Sequence, residues 1–209
     1  PDGVLDGARH ITMGGYYLYI VTDRGLVIVN VDTPLEPRVV TTVPLNEGHS
    51  SALQFRYLFV TDADGLKVID VTDAARAALV PHNTIALDDA RRVFISRTYA
   101  YVAAGADGMV IVDAEQPERM RLYRRFDADG ALVDTTDIVV ATTNASLFAY
   151  VADGVAGLKV VQLTSPDIQP KFYGFSPEPN PHLIAQRVTK KAALSLSPSS
   201  SPAAQSGAD

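Results

Sequence analysis

An aspartate-rich segment between residues 127 and 137 has the residue types of a calcium site. It contains Asp127, Asp129 and Gly130, followed by Asp134 and Asp137, and carboxylates grouped on a loop are typical calcium ligands. The spacing lacks the further acid and the closing glutamate of an EF-hand loop, and Asp-Ala-Asp-Gly is also a common turn sequence. The sequence predicts calcium bound by Asp127, Asp129 and Asp134, with an ordinary turn as the alternative, and no other cofactor.

Other signals for catalysis or metal binding are absent from the sequence. The motifs of serine hydrolases, zinc proteases, P-loop proteins and dinucleotide-binding folds do not occur. The chain has no cysteine, which removes thiolate chemistry, disulfides and covalent haem attachment. The histidines are scattered and make no chelating pair: His10, His49, His82 and His182. We therefore predict a protein that is not an enzyme.

The charge balance argues against a nucleic-acid partner. With 18 Lys and Arg against 24 Asp and Glu, the formal net charge is -6, so the long-range field repels phosphate backbones. The longest apolar stretches are strand-sized and fall well short of the roughly 20 residues of a transmembrane helix. We expect neither nucleic-acid binding nor a transmembrane segment.

A phrase of about seven residues recurs four times and sets the organisation of the chain. Each copy has a glycine, a long apolar residue and a β-branched pair: Gly25 to Val31, Gly65 to Val71, Gly108 to Ala114 and Gly157 to Leu163. An aromatic-rich run ending in valine precedes each copy: Tyr16 to Val21, Tyr57 to Val60, Tyr99 to Val102 and Phe148 to Val151. Both phrases favour strands, and the Asp- and Gly-rich residues between them favour hairpin turns.

Each unit also has a leading and a trailing apolar run, which brings the count to four predicted strands. The trailing runs are Arg38 to Val43, Ala78 to Leu87, Arg121 to Phe126 and Lys171 to Phe175. Repeated four-stranded units of about 43 residues are typical of propeller blades, because a single such sheet cannot bury both of its apolar faces. The sequence predicts an all-β fold, a β-propeller with four antiparallel blades at about 8–45, 50–87, 90–128 and 134–176.

The remaining residues are predicted to differ from the blades. Residues 177–196 are expected to form an arm or an extra strand, and 197–209 a low-complexity tail. The opening at Pro1 is interpreted as processed material or a piece of a longer chain, so the four blades also fit part of a larger ring.

The leading strands of a propeller line its central channel, and their first residues surround the channel mouth. Superposing the four repeats aligns His10, Ala52, Arg92 and Asp137, preceded by Arg9, Ser51, Arg91 and Thr136. These residues carry both signs of charge. We predict a ligand site at the channel mouth formed by Arg9, His10, Arg91, Arg92 and Asp137, with a solvated rim of ion pairs as the alternative.

The repeated phrases resemble the LVIVD-repeat family over about residues 8–176. The third copy, Met109 to Asp113, nearly spells the motif; Asp70 also matches the closing acid, whereas Asn30 and Gln162 depart from it. The resemblance implies a β-propeller, an extracytoplasmic location in a secreted or cell-surface protein, and a multihaem cytochrome as a partner.

The leading functional hypothesis is a non-enzymatic module for protein–protein interaction or assembly, with protein partners or further blades of the same protein. One alternative is a ligand- or metal-binding, enzymatic propeller that uses the channel mouth. Another is a structural subunit that oligomerises through open blade faces.

Overall fold

The computed structural model describes residues 3–143, 145–167, 169 and 172–197, and these residues form four antiparallel sheets. Blade one contains β1 (His10–Gly14), β2 (Tyr17–Thr22), β3 (Gly25–Asn30) and β4 (Arg38–Pro44). Blade two contains β5 (Ser50–Gln54), β6 (Tyr57–Asp62), β7 (Gly65–Asp70), β8 (Ala78–Leu79) and β9 (Ile85–Ala86). Blade three contains β10 (Arg92–Ser96), β11 (Tyr99–Ala103), β12 (Met109–Asp113) and β13 (Arg121–Phe126). Blade four contains β14 (Asp137–Thr143), β15 (Ser146–Ala152), β16 (Leu158–Thr164) and β17 (His182–Arg187).

The strands of each blade lie in chain order, except that β8 and β9 both pair with β7. Short 3-10 turns at Ala74–Arg76 and Pro117–Arg119 precede the outer strands of blades two and three. The four leading strands, β1, β5, β10 and β14, lie side by side in that order. They therefore surround a common axis, and the predicted all-β propeller architecture is confirmed.

Three buried apolar layers hold the blades together, one between each pair of neighbours. Tyr19, Ile28, Leu58 and Val60 lie between blades one and two. Phe59, Val68, Ala100 and Val102 lie between blades two and three. Tyr101, Ile111, Ala149 and Val151 lie between blades three and four. Among the described residues, no such layer joins blade four to blade one, so the blades form an arc that is not closed.

The repeated glycine allows the fourth strand of each blade to approach the third closely. A Cβ added at Gly25, Gly65, Gly108 or Gly157 would lie far inside van der Waals distance of a backbone carbonyl oxygen: that of Val43, Ile85, Phe126 or Arg187, respectively. Gly157 also has a φ of 85°, which side chains rarely adopt. The glycine recurs because this position of the blade excludes a side chain.

The fourth strand of blade four differs from the predicted one. The predicted trailing run was 171–175, but residues 172–175 form no strand and Lys171 lies outside the described residues. The strand that pairs with β16 is β17, which comes from the segment predicted to be an arm or an extra strand, 177–196. Gly174, at a φ of 82°, interrupts the first segment, whereas Leu183 of the second packs against the buried layer between blades three and four.

The trailing strand predicted in blade two is divided. Its first part, β8, pairs with Ile69 and Asp70, and its second part, β9, pairs with Gly65 and Leu66. Pro81 lies between them and cannot donate to a ladder. Apart from Ser197, the predicted low-complexity tail lies outside the described residues.

The close approach at Gly157 can be tested against a glycine with the same backbone conformation. Gly130 has a φ of 83°, and a Cβ added there would meet nothing within 4 Å. We expect Gly130→Ala to cost about 1–2 kcal/mol for its backbone conformation alone. Gly157→Ala should cost at least about 2 kcal/mol more, because strand β17 must move away. Urea unfolding measures both, and equal losses in the two variants would contradict the steric role of this glycine.

Candidate functional site

The channel mouth is built from one equivalent position in each blade. At this position the backbone N–H donates to a carbonyl oxygen at the end of the second strand, at 2.8–2.9 Å in every blade. The four donors are Arg9, His49, Arg91 and Thr136, and their acceptors are Val21, Thr61, Ala103 and Ala152. The next residues along the chain are His10, Ser50, Arg92 and Asp137, and each pairs across the ladder with the same acceptor residue.

The predicted register was wrong by two residues in blade two. The superposition placed Ser51 and Ala52 at the mouth, but the structure places His49 and Ser50 there. In the first three blades, the leading strand begins seven residues before the first aromatic residue of the second strand. This spacing leads from Tyr17 to His10 and from Tyr57 to Ser50. His49 is therefore the mouth residue that sequence reasoning missed.

A cavity of about 390 Å³ opens at the channel mouth. Its lining consists of Arg9, His49, Asp89, Arg91, Arg92 and Thr136. The structure thus brings three predicted site residues, Arg9, Arg91 and Arg92, to one cavity. The other two, His10 and Asp137, begin their leading strands and lie beside Arg92 without lining the cavity.

Arg91 is held in place by two carboxylates. Its Nε and Nη2 donate to Asp89 at 2.7–3.0 Å, and its Nη1 donates to Asp134 at 2.7 Å. Hydrogen bonding to Asp89, followed by that to Asp134, raises the pKa of Arg91 above its ordinary value. Because all three guanidinium nitrogens are engaged, Arg91 is a fixed wall of the cavity.

Arg92 has much weaker contacts. The nearest carboxylate oxygen belongs to Asp137, at 3.7 Å from Nε, which is beyond hydrogen-bonding distance. The Asp137 carboxylate accepts instead from the backbone N–H groups of Ile138 and Leu196, both at 2.8 Å. Within the described part of the chain, the Arg92 side chain makes no hydrogen bond, although only 30% of it is exposed.

His10 is kept uncharged at the start of β1. Burial, followed by the positive charge of Arg92, lowers the pKa of His10 to about 4. Its Nδ1 accepts a hydrogen bond from the backbone N–H of Ser51 at 3.1 Å, which requires that nitrogen to be unprotonated. His10 therefore serves as an acceptor that joins blades one and two, and it adds no positive charge to the mouth at neutral pH.

The aspartates of the predicted calcium site have other partners. Asp127 accepts from the backbone N–H of Asp129 within a turn, and Asp134 is engaged by Arg91. Over residues 3–143, 145–167, 169 and 172–197, no group of three or more histidines or acids is placed to hold a metal ion. Calcium binding stays a prediction, without a preformed site to support it.

Four stacked antiparallel blades with leading strands around one axis define a β-propeller architecture. The family model described as LVIVD repeat matches residues 7–43, 88–128 and 145–166. The chain belongs to the LVIVD-repeat family. The second blade lies outside the matched segments, although its strands follow the same order and it has the repeated glycine, Gly65.

Solved structures with this fold share little sequence with the chain. Hydrazine synthase of Kuenenia stuttgartiensis matches at 17% identity and a TM-score of 0.57, covering 85% of this chain and 49% of that one. The β-propeller domain of Cps50 (Swd1) from Myceliophteria thermophila matches at 12% identity and a TM-score of 0.53, covering 88% and 73%.

PorZ, a bacterial surface component of the type-IX secretion system of Porphyromonas gingivalis, matches at 17% identity and a TM-score of 0.50, covering 86% and 22%. The chain thus spans about half the length of the hydrazine synthase chain and less of PorZ. No curated protein matches the chain significantly. In the described part of the chain, none of the helices has the length and hydropathy that a membrane crossing needs.

The uncharged state of His10 predicts a pH dependence of stability. The pKa is about 4 in the folded protein and about 6.5 in the unfolded chain, so the unfolded state binds more protons between these values. Stability should therefore fall as the pH is lowered from 6.5 to 4. In His10→Gln we expect a smaller fall in the free energy of unfolding over this range. The difference from the wild type should reach roughly 1–2 kcal/mol at pH 4.5, a value reduced from the full pKa difference because His10 keeps some contact with solvent. Chemical unfolding of both proteins at pH 7.5 and 4.5 measures the difference, and parallel losses would refute it.

Proposed function

We propose that this protein is a non-enzymatic β-propeller module of a secreted or surface-associated protein, and that it assembles with other propeller blades through its two terminal faces. The forward face is the side of blade four that points away from blade three. The rear face is the side of blade one that points away from blade two. The exposure of Tyr150 on the forward face is the observation that carries the proposal.

The forward face exposes an aromatic position that is buried in every other blade. Tyr19, Phe59 and Tyr101 occupy the equivalent position in blades one to three, and they are 4%, 0% and 0% exposed, whereas Tyr150 is 39% exposed. Tyr150 aligns across the sheet with Val139, Val160 and Ala185. In the first three blades this row packs on the following blade, so the forward face lacks the blade that would follow it.

The rear face presents the other side of the same packing and is partly exposed. Val39 is 51% exposed, whereas Val29 is 7% exposed and lies in a small buried cluster with Ile20 and Val27. Met13, Leu18, Val29 and Val39 align across blade one. The equivalents of Met13 in the later blades are Leu53, Ile95 and Val140, and each packs toward the preceding blade. Met13 itself is 72% exposed. An apolar row of this kind on a sheet is typical of an interaction surface.

The two faces are complementary because the internal interfaces always join a forward face to a rear face. A forward face therefore accepts the rear face of another blade, and for the isolated chain the available rear face is that of a second copy. Two such contacts, related by a two-fold axis, close a ring of eight blades from two chains. Contacts between different surfaces of two copies are heterologous, and they stay finite when the ring closes.

Location and partner identity rest on weaker support. The family resemblance implies an extracytoplasmic protein, and PorZ, which shares the fold, is described as a surface component. We include this location in the proposal. A multihaem cytochrome as partner stays a prediction.

Single charges on either face should weaken assembly. We expect multi-angle light scattering to show dimers of the wild-type chain. Tyr150→Glu and Met13→Glu should each raise the dissociation constant of the dimer by about tenfold or more, because the buried carboxylate would have no partner. Mixing the two variants should restore a dimer held by one of the two contacts, because one chain keeps an intact forward face and the other an intact rear face.

Matched controls are Tyr173→Glu and Leu35→Glu, which place the same charge at exposed positions outside the sheets. Both should assemble like the wild type. The proposal is wrong if the folded wild-type chain stays monomeric up to about 100 µM, or if the controls lose assembly to the same extent as the face variants.

A further inference from the structure

Three guanidinium groups meet at the channel mouth. Arg9 comes from blade one, and Arg91 and Arg92 come from blade three. Among the described residues, Asp89 is the one carboxylate that lines the cavity, and Arg91 binds it through two nitrogens. Three further carboxylates lie behind the lining, each within 4 Å of one arginine: Asp23, Asp134 and Asp137. The site therefore depends on how far the donors of each arginine are used, and not on an excess of positive charge.

The three arginines differ in how well their donors are used. Arg91 is fully engaged by Asp89 and Asp134. Arg9 contacts Asp23 at 2.6 Å, and both side chains are nearly half exposed, so solvent screens that pair and exchange is inexpensive. Arg92 has no hydrogen bond among the described residues. A half-buried guanidinium with unused N–H groups favours a ligand that can accept them.

The chemistry of these donors selects an oxyanion. A guanidinium presents parallel N–H groups that match the two oxygens of a carboxylate or phosphate. A volume of about 390 Å³ falls within the range of small-molecule sites and exceeds what a single inorganic ion needs.

We propose that the channel mouth binds a small organic anion, with Arg92 as its principal ligand, Arg9 as a second ligand and Arg91 as a fixed cationic wall. His49 also lines the cavity. Its Nδ1 donates to the carbonyl oxygen of Ala90 at 2.7 Å, which fixes the ring at the rim. The site uses no residue of the terminal faces, so the substitutions that test assembly leave its ligands in place and the two proposals can fail separately.

Isothermal titration calorimetry at pH 7.5 and constant ionic strength tests the site in two arms. One arm uses the carboxylates citrate and succinate, and the other uses glycerol phosphate and inorganic phosphate. We expect saturable binding with one site per chain in at least one arm, and the arm that binds identifies the anionic group. Arg92→Gln should weaken binding by about tenfold or more, since a hydrogen bond to a charged group is lost. Arg9→Gln should weaken it less.

Two further variants separate ligand binding from general charge and from folding. Arg125→Gln removes a similarly exposed arginine, paired with Asp107 on the outer strand of blade three, and should leave binding unchanged. Arg92→Lys keeps the charge but loses the paired donors, so its affinity should lie between those of the wild type and Arg92→Gln. Circular dichroism checks that each variant is folded.

The site is refuted if no anion in either arm binds up to about 10 mM. It is also refuted if folded Arg92→Gln binds like the wild type, or if Arg125→Gln loses as much affinity as Arg92→Gln.

Discussion

The rest of the structure depends on one interaction, the packing of an aromatic side chain of each blade against an aliphatic side chain of the next blade. Tyr19, Phe59 and Tyr101 all point forward along the arc, and Leu58, Ala100 and Ala149 point backward to meet them. Because the contact has a direction, every blade repeats the same two phrases in the same order. The repeated glycine supports this arrangement because it allows the outer strand of each blade to pack closely against the third strand.

This directional packing separates two kinds of surface. The faces pack on one another through apolar side chains, and in the described part of the chain the first and last of them keep exposed apolar residues, such as Met13 and Tyr150. The residues at the channel mouth do not take part in this apolar packing. A backbone hydrogen bond, and not the side chain, sets the position of each of them. The two proposed roles, assembly and ligand binding, therefore use different residues.

Much of the fold could be predicted from the sequence because its decisive signals are local. The glycine phrases predicted β3, β7, β12 and β16 almost to the residue, since a β-branched run bounded by a turn has few other solutions. The last strand could not be chosen in this way. Both 171–175 and the segment around Leu183 are short and apolar, and what favours the second is a contact with a layer formed by distant residues.

The candidate site shows the same division between local and tertiary information. Arg9, Arg91 and Arg92 were found from the repeat, whereas a shift of two residues hid His49, because Ser50, Ser51 and Ala52 offer no mark of where β5 begins. The engagement of Asp134 by Arg91 joins residues 43 positions apart. No spacing rule anticipates it, and so a group of aspartates suggested a metal where the structure places ion pairs.

The mouth position has a consequence for how such proteins diverge. Its backbone N–H makes the same bond whether the residue is arginine, histidine or threonine, so substitution there leaves the ladder intact. As such proteins diverge, substitutions at this position can therefore change the side chains around the axis separately in each blade. The backbone hydrogen bond that places each of these side chains is kept.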